Sequence, residues 1–246
     1  MFNNIFINFA LRHLPREKWN GLSSFCACFS LPTIGSPIKF THRNFYLEEF
    51  ATHELASPLL QQFLNFCYPA DAPDREQQID FDRQLYWKDS TTLLAFNSRR
   101  DIVGCIQVIP RNNGRRLPVE YAAVVKVGGL KTHFNIRGII PCDNVTEVYR
   151  CRRSFDLNKI EAVNVLLMLF KAVWAKTIQT GTAFSCISFD SSKADLRHMY
   201  LHKLAFFDPG ISLTFGTDPR CWSFMIKDWN FHEKKYASLS KTHFYL

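Results

Sequence analysis

The chain has 246 residues, 47% of them apolar and 23 of them phenylalanine, which is ample for a large core and excludes wholesale disorder. Thirty basic against 22 acidic residues leave a formal charge of +8, a field that favours an anionic partner such as nucleic acid, a membrane surface, a phosphorylated cofactor or an acidic protein. No run of about 18 uncharged apolar residues is present, so no membrane-spanning helix is expected.

The opening "MFNNIFINFALRHL" places Phe2, Ile5, Phe6, Phe9 and Leu14 at helical spacing, with Arg12, Arg16 and Lys18 close behind. It lacks the basic start and small-residue cleavage site of a secretory signal. The expectation is an amphipathic helix packed on the domain, with peripheral membrane contact through residues 1–20 as the second reading. Residues 21–40 carry two Pro, two Gly and five Ser or Thr without a period and read as a linker. The division is therefore an N-terminal helix and linker over 1–40, then one domain over 41–246.

In the domain, "NFYLEEF" is a first strand. "HELASPLLQQFLNFC" then sets Leu55, Leu59, Leu60, Phe63 and Phe66 on one helical face. "YPADAPDREQQIDFD" reads as a polar connection. "TTLLAF", the turn "NSRRD" and "IVGCIQVI" make a hairpin. A less regular segment follows, then "TEVYRCRRSF" as a strand. "NKIEAVNVLLMLFKAVWAKTIQTG" is the strongest helix: Asn158 with Glu161 fits a capping box and Gly181 fits its end. Its stripe of Ile160, Val163, Leu167, Phe170, Trp174 and Ile178, with further apolar residues beside it, predicts burial on most sides. "AFSCISF" is a strand, "KADLRHMYLHKL" a helix, and "SLTFG" with "CWSFMI" close the sheet. The order predicts an α+β domain, a mostly antiparallel sheet with helices on its faces.

Eight cysteines are scattered without a C-x-x-C pair, the pattern of buried free thiols in a reducing, cytoplasmic setting rather than of a disulfide framework or a zinc site. No phosphate loop, dinucleotide fingerprint or hydrolase elbow occurs. His198 and His202 share a helix face without the Glu of H-E-x-x-H, so no metal site is assigned. The pairs Arg99–Arg100, Arg115–Arg116 and Arg152–Arg153 are dispersed rather than gathered in one stripe, and no nucleic-acid partner is expected.

The run from 146 to 161 remains. A strand built only for packing would not carry Glu147, Arg150, Arg152 and Arg153. In regular alternation Glu147, Tyr149, Cys151 and Arg153 face one side, and Val148, Arg150 and Arg152 the other. Polar groups on both faces need partners. Either Glu147 and an arginine pair within a structural network, or the strand borders a cleft in which Glu147 takes a proton and the basic residues meet an anion. A helix starting near Asn158 also favours a phosphate there. Cys151 between two arginines is a lesser candidate nucleophile, because no histidine is indicated as its base.

Three strings, "GCIQVIPRNNGRRLPVE", "TEVYRCRRSF" and the long helix after them, resemble the acyl-homoserine-lactone synthases. They are more similar to the related N-acyl amino acid synthases and exosortase-associated acyltransferases, across roughly residues 44–215. Glu147 and Arg150 match the first and last positions of an E-x-S-R strand, "LPVE" at 117–120 matches a Leu-Pro-x-Glu segment, and Asp80 and Asp82 stand where those families carry paired acids. Gln107 stands where they carry arginine.

This resemblance implies a GNAT-like acyltransferase fold with a thioester-bearing pantetheine in a V-shaped gap between central strands. It implies an N-acyltransferase moving a medium or long acyl group to an amino acid or similar amine. Glu147 and Arg150 would be catalytic. Asp80, Asp82, Gln107, Glu120 and Tyr149 would bind substrate. Arg152, Arg153, Asn158 and Lys159 would bind the donor's anionic part. No bound cofactor is implied; the co-substrate is acyl carrier protein or coenzyme A carrying the acyl group. "FDLNKIEAVN" lacks the glycines that cradle a pyrophosphate, which leans the donor toward acyl carrier protein, and Gln107 leans the product toward an acyl amino acid. Leu201 rather than Tyr200 falls in the register of the usual general-acid tyrosine, so Tyr200 is given no role. The alternative is a catalytically silent domain of the same fold that binds lipid or a protein partner.

Overall fold

A computed structural model describes residues 37–229 except 43, 71, 73, 112–114, 126–130, 141, 203 and 217. The expected amphipathic helix near the N-terminus and most of the expected linker lie outside the described residues.

The described elements are β1 (Lys39–His42), β2 (Phe45–Ala51), α1 (Ser57–Cys67), α2 (Arg75–Leu85), β3 (Thr91–Phe96), β4 (Ile102–Pro110), β5 (Ala123–Val125), β6 (Lys131–His133), β7 (Val145–Arg153), α3 (Lys159–Thr180), β8 (Phe184–Asp190), α4 (Ala194–His202), β9 (Ser212–Thr214) and β10 (Trp222–Asp228). The strands form one sheet in the order β1-β2-β3-β4-β7-β8-β10-β9-β5-β6. Its pairings are antiparallel except β7 with β8. The expected α+β class, a mostly antiparallel sheet flanked by helices, is the observed one.

The long helix forms where its caps place it. Asn158 Oδ1 accepts from the amides of Ile160 and Glu161, each at 3.0 Å, while Glu161 Oε2 accepts from the Asn158 amide at 3.1 Å. Gly181, at φ +62°, takes the left-handed turn that stops it. The helix lies so close to β4 that a Cβ on Gly104 would sit 2.6 Å from Val165 Cγ1. Its sheet-facing residues are Val165, Leu169, Ala172 and Val173, all fully buried. The stripe singled out from the sequence is instead partly outward, with Ile160 and Val163 exposed and Phe170 covered by Tyr200 and Phe206. The helix is so apolar that spacing alone does not say which face meets the sheet.

Two other expectations need correction. The polar connection contains α2, whose buried residues are Ile79 and Asp82. A stripe made of one apolar and one acidic residue leaves no hydrophobic period to detect. The linker ends early, because β1 begins at Lys39 and buries Ile38 and Phe40.

β7 departs from regularity twice. Its parallel pairing with β8 runs from Val145↔Phe184 to Val148↔Ile187 and stops. Beyond that point β7 stays with β4 and β8 with β10, so the centre of the sheet splits. Against β4, Gln107 pairs with Tyr149 but Cys105 with Arg152. Two steps along β4 thus match three along β7, a bulge. Arg150, within it, has φ +48°, a left-handed conformation that disfavours a Cβ and costs about 1 kcal/mol.

Candidate functional site

Directly opposed residues of an antiparallel pair share a face. Gln107 opposes Tyr149 and Ile109 opposes Glu147, so Gln107, Ile109, Tyr149 and Glu147 all point away from α3. Tyr86 and the 3-10 turn Pro118–Tyr121 cover this face, packing with Ile109, Val145 and Cys186 in one core cluster.

Glu147 is fully buried. Its Oε2 accepts from the Val119 amide at 2.8 Å, and its Oε1 has no partner. The local sequence explains the first contact. The short helix begins at Pro118, so the Val119 N–H is one of the first-turn donors that no helical carbonyl can satisfy. Glu120 steadies the turn by accepting from the Leu117 amide and from Arg111 Nη2, both at 2.9 Å. Burial pushes the Glu147 carboxyl up to about 8, opposed by the Val119 hydrogen bond and aided by the neighbouring charges of Glu120 and Asp82. A carboxyl with a free oxygen and a raised pKa can hold or accept a proton near neutrality.

The bulge turns Arg150 to the same side as Tyr149. Arg150 Nη2 and Nε donate to Asp82 Oδ2 at 3.0 and 3.2 Å, and Nη2 also reaches Gln78 Oε1 at 3.3 Å. Tyr68 donates to Asp82 Oδ2 at 2.6 Å and Tyr149 to Oδ1 at 3.2 Å. The guanidinium lies 4.4 Å from the Tyr68 ring centroid and 5.0 Å from that of Tyr149. Asp82 is thus saturated by one cation and two hydroxyls. Arg150 is engaged in tying α2 to the bulged strand, and strict alternation, which put it on the face opposite Tyr149, does not hold.

The other sequence candidates spread out. Asp80 is exposed and pairs with Arg83 at 3.2 Å, so α2 separates it from Asp82. Gln107 is buried beside Tyr149, and neither of its amide atoms has a partner. Arg152 and Arg153 end β7, Arg153 donating to the Ser154 carbonyl at 3.1 Å. Asn158 caps α3 and exposed Lys159 opens it. These four follow the split, whereas Glu147 precedes it. Cys151, expected as a lesser nucleophile, is partly buried, and desolvation pushes its thiol up to about 12 although a hydrogen bond with Tyr200 opposes the shift, which leaves it inert. Tyr200 itself packs 5.0 Å from the Phe189 ring, so its ring touches one diverging strand and its hydroxyl the other.

Tyr68, Gln78, Tyr86 and Val119 escaped the sequence reading. They lie far from 146–161 in the chain, and no spacing rule links them to it. The six described cysteines are free. His198 and His202 lie 4.5 Å apart by ring centroids, and among the described residues no group of three or more His, Cys, Asp and Glu is placed to hold a metal. No described helix is long and apolar enough to cross a membrane.

Neither a family model nor a curated protein matches the sequence. Solved structures do match in backbone path. FeeM, an N-acyl amino acid synthase from uncultured soil microbes, is 16% identical, with 79% of this chain and 93% of that one covered at a TM-score of 0.44. A mutant form of the spermidine/spermine N-acetyltransferase SpeG from Vibrio cholerae is 7% identical over 79% and 99% at 0.49. A GNAT-family acetyltransferase from Staphylococcus aureus Mu50 is 11% identical over 75% and 99% at 0.47.

Proposed function

We propose that the chain is an N-acyltransferase that moves a medium or long acyl group from an acyl-carrier-protein or coenzyme A thioester to an amino acid or similar amine. The observation that carries this reading is Glu147: a fully buried carboxyl with one unpartnered oxygen, one residue before the point where β7 and β8 part. In this scheme the ammonium of the acceptor gives a proton to the Glu147 carboxylate. The amine nitrogen attacks the thioester carbonyl, the N–C bond forms, the C–S bond breaks, and the departing sulfur takes the second proton that the nitrogen sheds, while Glu147 returns the first to solvent. The β7 backbone from Tyr149 to Arg153, left without a β8 partner, supplies amide donors for the oxyanion. The donor's anionic part meets Arg152, Arg153 and Lys159, and the net charge of +8 suits an acidic carrier protein. Asp82 and Arg150 act here as positioning residues that hold the bulge.

A second reading, a silent domain that binds lipid or a protein partner, draws on the full enclosure of Glu147 and the engagement of Arg150 with Asp82. The test is incubation of purified protein with thioesters of several chain lengths and a pool of amines, following free thiol and acylated product by mass spectrometry. Amine-dependent product that collapses in Glu147→Gln supports acyl transfer. Intact thioester under all conditions, with folded protein, favours the silent domain.

A further inference from the structure

On the face that carries Glu147, beside the unpartnered donors Gln107 Nε2 and Arg111 Nη1, three oxygens lack partners: Glu147 Oε1, Gln107 Oε1 and Tyr86 Oη. Their residues are 0%, 1% and 3% exposed. Each buried polar atom left unpaired costs about 1–3 kcal/mol, so three on one face call for a group that completes them. The register brings them together. Gln107 and Glu147 are diagonal neighbours on adjacent strands, about 7–8 Å apart at Cβ and within reach of their long side chains. The Tyr86 ring lies 6.3 Å from that of Tyr149, which directly opposes Gln107.

We infer that these three oxygens form the acceptor site and hold the acceptor as a primary ammonium on an apolar carbon skeleton, with no carboxylate beside the nitrogen; this rests on the acyl-transfer reading above. A primary ammonium has three N–H donors and no acceptor, which matches three unpartnered oxygens, and aromatic rings beside a carboxylate favour a cation. Of the two arginines that reach this face, Arg150 is engaged and Arg111 is engaged through Nη2 and Nε. Arg150 is held by Asp82 and Gln78. Arg111 lies between Glu120 at 2.9 Å and Asp143 at 3.7 Å, although its Nη1 keeps free hydrogens. A carboxylate on the acceptor would meet Glu147, Glu120 and Asp82 with its counter-charge already shared. Outside the polar atoms, Phe81 packs 6.0 Å from Tyr86 and 5.4 Å from Tyr121 by ring centroids. Phe81 and Tyr121 are each 42% exposed, an aromatic rim for an aliphatic or arylalkyl substituent.

The experiment compares matched acceptors on the full chain: leucine with isopentylamine, and phenylalanine with phenethylamine, each with an octanoyl and a palmitoyl thioester, alongside calorimetric titration of the amines alone. The amines are expected to exceed their amino acids at least tenfold in kcat/KM. Gln107→Leu and Tyr86→Phe should raise the amine KM about ten- to hundredfold and leave the thioester KM unchanged, a split that a general loss of structure does not produce. Preference for the amino acids, abolished by Arg111→Gln, overturns the inference while acyl transfer stands. Should no thioester be consumed, acyl transfer fails, and titration still decides the site. Amine binding that Gln107→Leu removes keeps the ammonium site, and absence of amine binding to the wild-type chain overturns it.

Discussion

Replacing Glu147 by glutamine keeps the shape and the Val119 contact but removes the ionisable group. In the folded chain the carboxyl sits at about 8, against its ordinary 4.5. Between those values the folded state keeps a proton that the unfolded chain has released, so it binds more protons and stability falls as pH rises. This stabilising contribution is fully present below about 4.5 and is lost through about 8. At about 1.36 kcal/mol per pH unit the window is worth at most about 5 kcal/mol. For a domain of this size 1 kcal/mol moves the melting temperature by about 2–4 °C; about three of those pH units, or about 4 kcal/mol, fall between pH 5 and pH 9, so the wild-type chain should lose about 8–16 °C relative to Glu147→Gln over that range. Differential scanning fluorimetry across that range measures it. The same group predicts activity that climbs with pH through about 8, and a fall of roughly 100- to 10,000-fold in the variant. Parallel melting curves for the two proteins, within about 2 °C from pH 5 to pH 9, would refute a raised carboxyl pKa at this position.

Asp82→Asn leaves Arg150 buried without its counter-ion and should cost about 3–5 kcal/mol, read by urea unfolding. Gly104→Ala drives a methyl to 2.6 Å from Val165 Cγ1 and 3.0 Å from Leu169 Cδ1, and should cost about 1–3 kcal/mol by the same assay. Asn158→Ala removes the acceptor of two first-turn amides, with an expected loss of about 1 kcal/mol and faster amide exchange at Ile160 and Glu161.

The elements legible in the chain were those whose signals are local. The capping box at Asn158, the stop at Gly181 and the hairpin about "NSRRD" need only neighbours a few residues away, and each is present. α2 was not legible, because its buried side is Ile79 and Asp82. An acid is hidden there only because Arg150, Tyr68 and Tyr149 arrive from elsewhere to satisfy it.

The same division runs through the candidate site. A glutamate and three arginines within seven residues of one strand marked the stretch as more than packing, and that much follows from composition and period alone. Which charge is engaged and which is free depends on folding. One extra residue in β7 turns Arg150 toward Asp82, and the Pro118 turn spends one Glu147 oxygen on the Val119 amide while leaving the other open. Sequence determines which groups a strand carries. Only the tertiary structure decides their partners, because register, bulge and covering turn bring together residues 28 and 68 positions apart in the chain, and the free energy of a buried charge is set by what lies within a few ångströms of it.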